Sequence, residues 1–379
     1  MNILFIARNL SKSMGGISNT SYYLARELCK TDKVILLGKN REKEPIPLLE
    51  ERIADRFKGM GFVNYLLQYR KIVIENKIDY VLCATWVEAI IPYIFRNKWT
   101  QKYGIMIHGN EILKKTQGIS WTEKIYYFLR EKVMSEADMI FSNSEFTKNV
   151  FKSHWNKQVV VIHPCIDTNE TKYITEIGNN RVKNYTLFTV SRLSERKGIQ
   201  FVLKAVEKLK KKYPTIQYRV AGDGEYRENL ISEVKRLKIE NNVVFLGKVS
   251  QEEKFIEILN SDLFIMPSFS IPEKREVEGF GVVFLEANIL GKAVIGTDSG
   301  GIADAVLDGK TGWLVPEKDP EAIYQTIDEF YEGKKTYDKM DCLEWAQNHD
   351  AAIISKRYRE EINKRVKNYE KNCNMYHKL

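Results

Sequence analysis

Short apolar runs alternate with amphipathic stretches along most of the chain, and the series occurs twice. A strand buried on both faces needs a continuous apolar run, and a helix covering a sheet needs one apolar stripe. Alternating the two implies parallel sheets with helices on both faces. In the first half the runs predict strands at 2–7, 33–38, 79–84, 103–108, 138–142 and 159–163, with helices at 18–30 and 121–135 among the segments between them. In the second half strands are predicted at 186–191, 217–221, 243–246, 262–266 and 293–296. The helix predicted at 199–212 carries Val202, Ala205, Val206 and Leu209 at i, i+3, i+4 and i+7. The polar, strand-poor interval at 167–184 reads as a linker. The expected organisation is an α/β chain of two doubly wound domains, 1–166 and 185–350, facing across a cleft. A charged helical stretch at about 351–371, with Ile353, Ile354, Tyr358, Ile362 and Val366 as its apolar stripe, is expected to pack back on the first domain.

Composition narrows the classes. At 379 residues the chain can bury two cores. No run approaches the roughly 18–20 apolar residues of a membrane span. The start, Met1 to Arg8, has too short an apolar run for a secretion signal and no basic lead, so it reads as a buried first strand. Cys29, Cys83, Cys165, Cys342 and Cys373 are scattered, odd in number and without a Cys-x-x-Cys pair. That argues for reduced thiols in a cytoplasmic protein and against disulfides or zinc. The net charge of +9 is uneven: residues 1–170 carry 25 Lys+Arg against 18 Asp+Glu, the remainder 34 against 32. A basic N-terminal half suits an anionic partner such as phosphate, nucleic acid or the inner membrane face, and a solvated surface of modest bias gives the same count. Arg52, Arg56, Lys58, Arg70, Lys71, Lys114 and Lys115 are the candidates for an anionic bilayer.

Every motif with chemistry follows a predicted strand, where open parallel sheets bind ligands. Ser191 to Gly198 places Arg192 and Lys197 five apart on a strand-to-helix loop. An arginine fork and a lysine point charge held there can stabilise the charge that grows on a departing diphosphate. Taken alone, the segment reads more readily as a basic surface loop, since such loops are common. Glu278 and Glu286 stand eight apart, separated by Gly279-Phe280-Gly281-Val282 and an apolar helix. A carboxylate inside such a helix needs a partner, because burying an unpaired charge is costly. Ribose hydroxyls suit Glu286, hydroxyls of a transferred sugar suit Glu278, and the helix start at 279–282 offers N–H groups to phosphate. A capping glutamate plus a structural ion pair is the plainer account. Asp298-Ser299-Gly300-Gly301 allows the main chain to approach a ligand closely. Met14-Gly15-Gly16 could bring amides to phosphate, and His108, after the strand at 103–108, could contact sugar or acceptor. Gly222-Asp223-Gly224 lacks the third glycine of a dinucleotide fingerprint, since Arg227 stands there. No Asp-x-Asp occurs, which argues against a carboxylate-held divalent ion.

Together these residues resemble the retaining glycosyltransferases of family 4, which have the GT-B fold of two Rossmann-like domains. The specific part runs from Arg192 to Val315: the Arg and Lys pair, Gly222-Asp223-Gly224, the Glu278/Glu286 pair, Gly300-Gly301, and Gly309 to Val315. Gly15-Gly16, His108-Gly109, Ser142-Asn143-Ser144 and His163 to Asp167 resemble weaker landmarks of the family. The resemblance implies that Arg192 and Lys197 hold the donor diphosphate, Glu286 the ribose and Glu278 the donor sugar. Gly16 would lie near the phosphates, His108 near the sugar, and Gly247-Lys248-Val249-Ser250 beside the base. It implies no metal or other cofactor. The long loop at 268–277, and Asp304 standing one residue later than the family's usual glutamate, are similar to the phosphatidylinositol-mannoside mannosyltransferase branch, which uses GDP-mannose.

The expected function is metal-independent, retaining transfer of a hexosyl unit from GDP-mannose or a UDP-sugar to a saccharide or lipid-linked acceptor. A sugar-nucleotide epimerase or a phosphorylase could share the fold. A non-catalytic sugar-nucleotide sensor and an anionic-surface or nucleic-acid-binding protein are alternatives of other classes, and no nucleic-acid module is present for the last.

Overall fold

The computed structural model describes residues 1–12, 15–52, 60–96, 102–113, 120–171 and 185–376. Met14, Arg56, Lys58, Lys114 and Lys115, and the expected linker from residue 172 on, lie outside the described residues. The chain divides into two units, Met1–Cys165 with Asp350–Leu379, and Ile166–His349.

In the first unit, β1 (Asn2–Leu10), β2 (Lys33–Asn40), β3 (Glu50–Arg52), β4 (Tyr80–Cys83), β5 (Lys102–Ile107), β6 (Met139–Ser142) and β7 (Val159–Val161) form one parallel sheet in the order β3-β2-β1-β4-β5-β6-β7. Its helices include α1 (Gly16–Leu28), α2 (Met60–Asn76), α3 (Ile90–Phe95), α4 (Trp121–Glu136) and α5 (Glu145–Lys152). The side-chain period of two in β1 sends Ile3 and Phe5 to one core and Leu4 and Ile6 to another. Tyr65, Tyr69, Ile72 and Val73 of α2 and Val133 and Met134 of α4 close the second of these cores.

In the second unit, β8 (Thr186–Val190), β9 (Gln217–Ala221), β10 (Val243–Gly247), β11 (Leu263–Ile265), β12 (Val294–Thr297) and β13 (Gly312–Val315) form a parallel sheet in the order β10-β9-β8-β11-β12-β13. It is covered by α6 (Ile199–Leu209), α7 (Arg227–Leu237), α8 (Gln251–Asn260), α9 (Val282–Asn288), α10 (Pro320–Tyr331) and α11 (Lys339–Gln347). The stripe expected on α6 is buried at Val202, Ala205, Val206 and Leu209. The last helix, α12 (Ala351–Tyr376), belongs to the first unit and places Ala351, Ile354, Tyr358 and Ile362 in the same core as α1.

The doubly wound α/β class is thus observed in both units. Two strands had no prediction. β3, Glu-Glu-Arg, is a charged edge strand paired to β2, and β13 is a four-residue edge strand paired to β12.

Candidate active site

In the second unit, β8, β11 and β12 are neighbours, so the loops leaving their carboxyl ends emerge side by side. The loop after β8 makes a 3-10 turn over Glu195–Lys197, which buries Lys197. Lys197 Nζ donates to Glu278 Oε2 at 2.6 Å, and Arg196 Nη1 donates to the same oxygen at 2.9 Å. Met266 Sδ is 3.6 Å from the ammonium. Burial pushes the Glu278 carboxyl up, but the charges of Lys197 and Arg196 outweigh it and bring the group down from 4.5 to about 2. Burial lowers the Lys197 ammonium from its ordinary value, and the Glu278 carboxylate opposes that. Both nitrogen donors thus converge on a single carboxylate oxygen.

The backbone around the triad is close-packed. Gly198 has φ +73°, and a Cβ there would lie 2.0 Å from the Pro267 carbonyl oxygen, so the cationic turn closes directly on the chain leaving β11. Gly300 has φ +57°, and its Cβ would lie 2.4 Å from the Glu278 carbonyl oxygen, which also accepts the Gly301 N–H at 2.8 Å. The close approach expected of this glycine pair is therefore made to the main chain of Glu278. Nearby, Glu317 Oε1 accepts from the Ser270 N–H at 2.9 Å and from the Ser299 hydroxyl.

Glu286 is buried in α9, and Lys254 of α8 brings its Nζ to 2.7 Å from Oε2. The approach is ionic without hydrogen-bond geometry, so that oxygen has no hydrogen-bond partner among the described residues. The ion pair that the plainer account required is present for both glutamates. Gly279, Phe280 and Gly281 are buried and Val282 is half-buried. Gly281 caps α9 and has no side-chain acceptor to offer the N–H groups of the first turn, of which Phe284 donates to the Gly281 carbonyl at 3.0 Å. On the other side of β8, the Gly222 N–H donates to the Gly247 carbonyl at 2.7 Å; Lys248 is exposed and Val249 half-buried in the loop that follows.

Arg192 departs from expectation. Its side chain is 77% exposed and pairs with Glu225 at 3.1 Å, not with Glu278 or Glu286. The cause is the neighbouring backbone: Leu193 is buried and its N–H donates to the Asp223 carbonyl at 3.0 Å, which turns the preceding side chain outward. Arg196, four residues on, takes the place expected for Arg192 beside Lys197.

Two family models divide the chain between them: Glycosyltransferase Family 4 matches residues 14–170, and Glycosyl transferases group 1 matches residues 171–342. The chain belongs to these glycosyltransferases. Among curated relatives, the GDP-mannose-dependent alpha-(1-6)-phosphatidylinositol monomannoside mannosyltransferase of Mycolicibacterium smegmatis is 26% identical over 269 residues, 68% of this chain and 68% of the relative. The putative colanic acid biosynthesis glycosyltransferase WcaL of Salmonella typhimurium is 31% identical over 144 residues, 38% of this chain and 35% of its own length. The crystal structure of HepE from Anabaena in complex with UDP has TM-score 0.75 at 19% identity, covering 96% of this chain and 100% of that one. Likeness at that identity shows the fold alone, the GT-B fold with its two Rossmann-like domains.

In the first unit of this glycosyltransferase, Gly15 (φ +98°) and Gly16 are exposed at the start of α1, which has no side-chain cap. His108 is half-buried at the end of β5. Its Nε2 lies 2.8 Å from the Ala84 carbonyl, which can only accept, so that nitrogen is the donor. Glu111 accepts the His108 N–H, and Asn143 donates to the His108 carbonyl at 3.1 Å. Arg196, Met266 and Lys254 were not singled out from the sequence. For Lys254 a signal exists, since it lies four residues before the buried Ile258 and hence on the inner face of α8.

Proposed function

We propose that this glycosyltransferase moves a hexosyl unit from a nucleotide-sugar, GDP-mannose or a UDP-sugar, to a saccharide or lipid-linked acceptor, with retention and without a metal. The observation that carries the reading is the triad in which buried Lys197 and half-buried Arg196 converge on one oxygen of half-buried Glu278. In the reaction the bond from the anomeric carbon to the diphosphate oxygen breaks and a bond to the acceptor oxygen forms on the same face. The acceptor proton passes to the leaving phosphate oxygen. Lys197 meets the charge that grows on that oxygen, with Arg196 beside it and Arg192 turning in from its outward position on the same loop when the donor binds, and Glu278 accepts from hydroxyls of the sugar. Glu286 accepts from the ribose with its remaining lone pairs, the N–H groups at Gly279–Val282 take phosphate, and Gly222, Lys248 and Val249 border the base. Gly15 and Gly16 serve the phosphates, and His108 Nδ1 accepts from a sugar or acceptor hydroxyl. The GDP-mannose dependence for which the M. smegmatis relative is named and the UDP in the HepE complex support a nucleotide-sugar donor.

The test is acceptor-dependent release of nucleotide from a panel of UDP-, GDP- and ADP-sugars, with and without a chelator. Lys197→Ala should lose about 10²–10³-fold in turnover while keeping its far-UV spectrum. Near-normal turnover of the variant, nucleotide release that needs no acceptor, or activity abolished by the chelator would each defeat part of the reading.

A further inference from the structure

The outer faces of two helices in the first unit are apolar where a water-facing helix is polar. On α4, Trp121, Ile125 and Phe128 are 75%, 52% and 66% exposed and fall at i, i+4 and i+7. On α2, Val63, Leu67 and Ile74 are each more than half exposed and fall at i, i+4 and i+11. The opposite faces of both helices are buried in one core, so the two stripes lie on the same side of the sheet. Single exposed apolar residues are ordinary, but six in two helical stripes on one side mark an interaction surface.

The charges around the stripes select the partner. Arg70 and Lys71 are exposed on α2 between Leu67 and Ile74, and Lys124 and Lys132 are exposed on α4, with Lys132 Nζ 5.7 Å from the Phe128 ring centre. The acids of the same helices are engaged or withdrawn. Glu75 lies 4.0 Å from Lys71, Glu123 closes the capping box with Ser120, Glu136 lies 3.7 Å from Arg96, and Glu131 is half-buried. Aromatic and aliphatic side chains flanked by long cations suit the boundary between lipid headgroups and acyl chains, where the cations extend to phosphate. Among the described residues no helix is long and apolar enough to cross a membrane, so the mode is lying on the surface.

We propose that the outer faces of α2 and α4 dock the first unit on an anionic bilayer. Trp121, Ile125 and Phe128 insert at headgroup depth, and Arg70, Lys124 and Lys132 pair with lipid phosphate. The inference rests on these helix faces and is independent of the transfer chemistry. Of the seven cations named from the sequence, Arg70 lies exposed on this face, Lys71 faces Glu75, Arg52 is engaged with Glu50 on β3, and Arg56, Lys58, Lys114 and Lys115 lie outside the described residues.

The full chain is incubated with vesicles of phosphatidylcholine and of phosphatidylcholine with phosphatidylglycerol, and binding is read by sedimentation and tryptophan emission. Wild type should sediment with the anionic vesicles and show a blue shift that Trp121→Phe largely removes. The triple variant Trp121→Ser, Ile125→Ser, Phe128→Ser should bind at least about tenfold more weakly. Removing Lys124 and Lys132 should cost roughly fivefold per cation. Should the triple variant not fold, Leu67→Ser with Ile74→Ser decides in its place. Undiminished sedimentation of the apolar variants, equal binding of wild type to neutral vesicles, or a solution dimer that the variants dissociate would overturn the proposal. Thermal stabilisation by nucleotide should be the same in all variants, so its absence from wild type as well would count against the donor reading alone.

Discussion

One oxygen of Glu278 holds two cations, and this sharing fixes how the residue responds to pH. Its folded-state pKa of about 2 lies below the ordinary 4.5, so the ionised group adds stability that is complete above about 4.5 and is lost as pH falls toward 2. Glu278→Gln keeps the shape and cannot ionise. The difference in urea midpoint between wild type and this variant should be largest near neutrality and shrink below about pH 4.5; a constant difference would show that the cations do not set the group. The same residues show what a sequence can and cannot give. Lys197 and Glu278 were legible because each stands beside glycines at a strand-to-helix junction. Arg192 and Arg196 carry the same side chain on the same loop, and only the path of the backbone over Asp223 decides which one turns inward.

At the scale of elements, Lys254 and Glu286 tie α8 to α9 through two buried charges. Removing one leaves the other uncompensated, so Lys254→Met should cost about 3–5 kcal/mol, and adding Glu286→Gln should restore most of it. A double-mutant cycle in urea measures this; additive losses would mean that the charges do not depend on each other. The central strands were legible because continuous apolar runs such as Ile3 to Ile6 and Leu263 to Ile265 have few other places to go. Edge strands escape that logic. β3 needs only one strand's hydrogen bonds and carries charged side chains, and β13 follows the Gly309-Lys310-Thr311 turn with little apolar length of its own.

At the scale of the whole molecule, the first unit is assembled from both ends of the sequence. Tyr358 of α12 is buried with its ring 4.9 Å from that of Phe141, and Arg359 Nε donates to Asp32 at 2.7 Å, on the carboxylate that also takes the Met1 ammonium. Tyr358→Ala should cost the first unit about 3–5 kcal/mol. In calorimetry it should lower the unfolding transition of that unit and leave the second unit's transition in place; two transitions shifted equally would show that the cores melt as one.

The return of α12 also imposes an order on synthesis. The second unit is one continuous stretch and can close as soon as His349 has left the ribosome, whereas the earlier-made sheet must wait with one flank uncovered until the final helix arrives. A released chain truncated after residue 349 should therefore yield a protease-resistant later portion beside a digestible beginning, an inversion of the usual first-made, first-folded sequence.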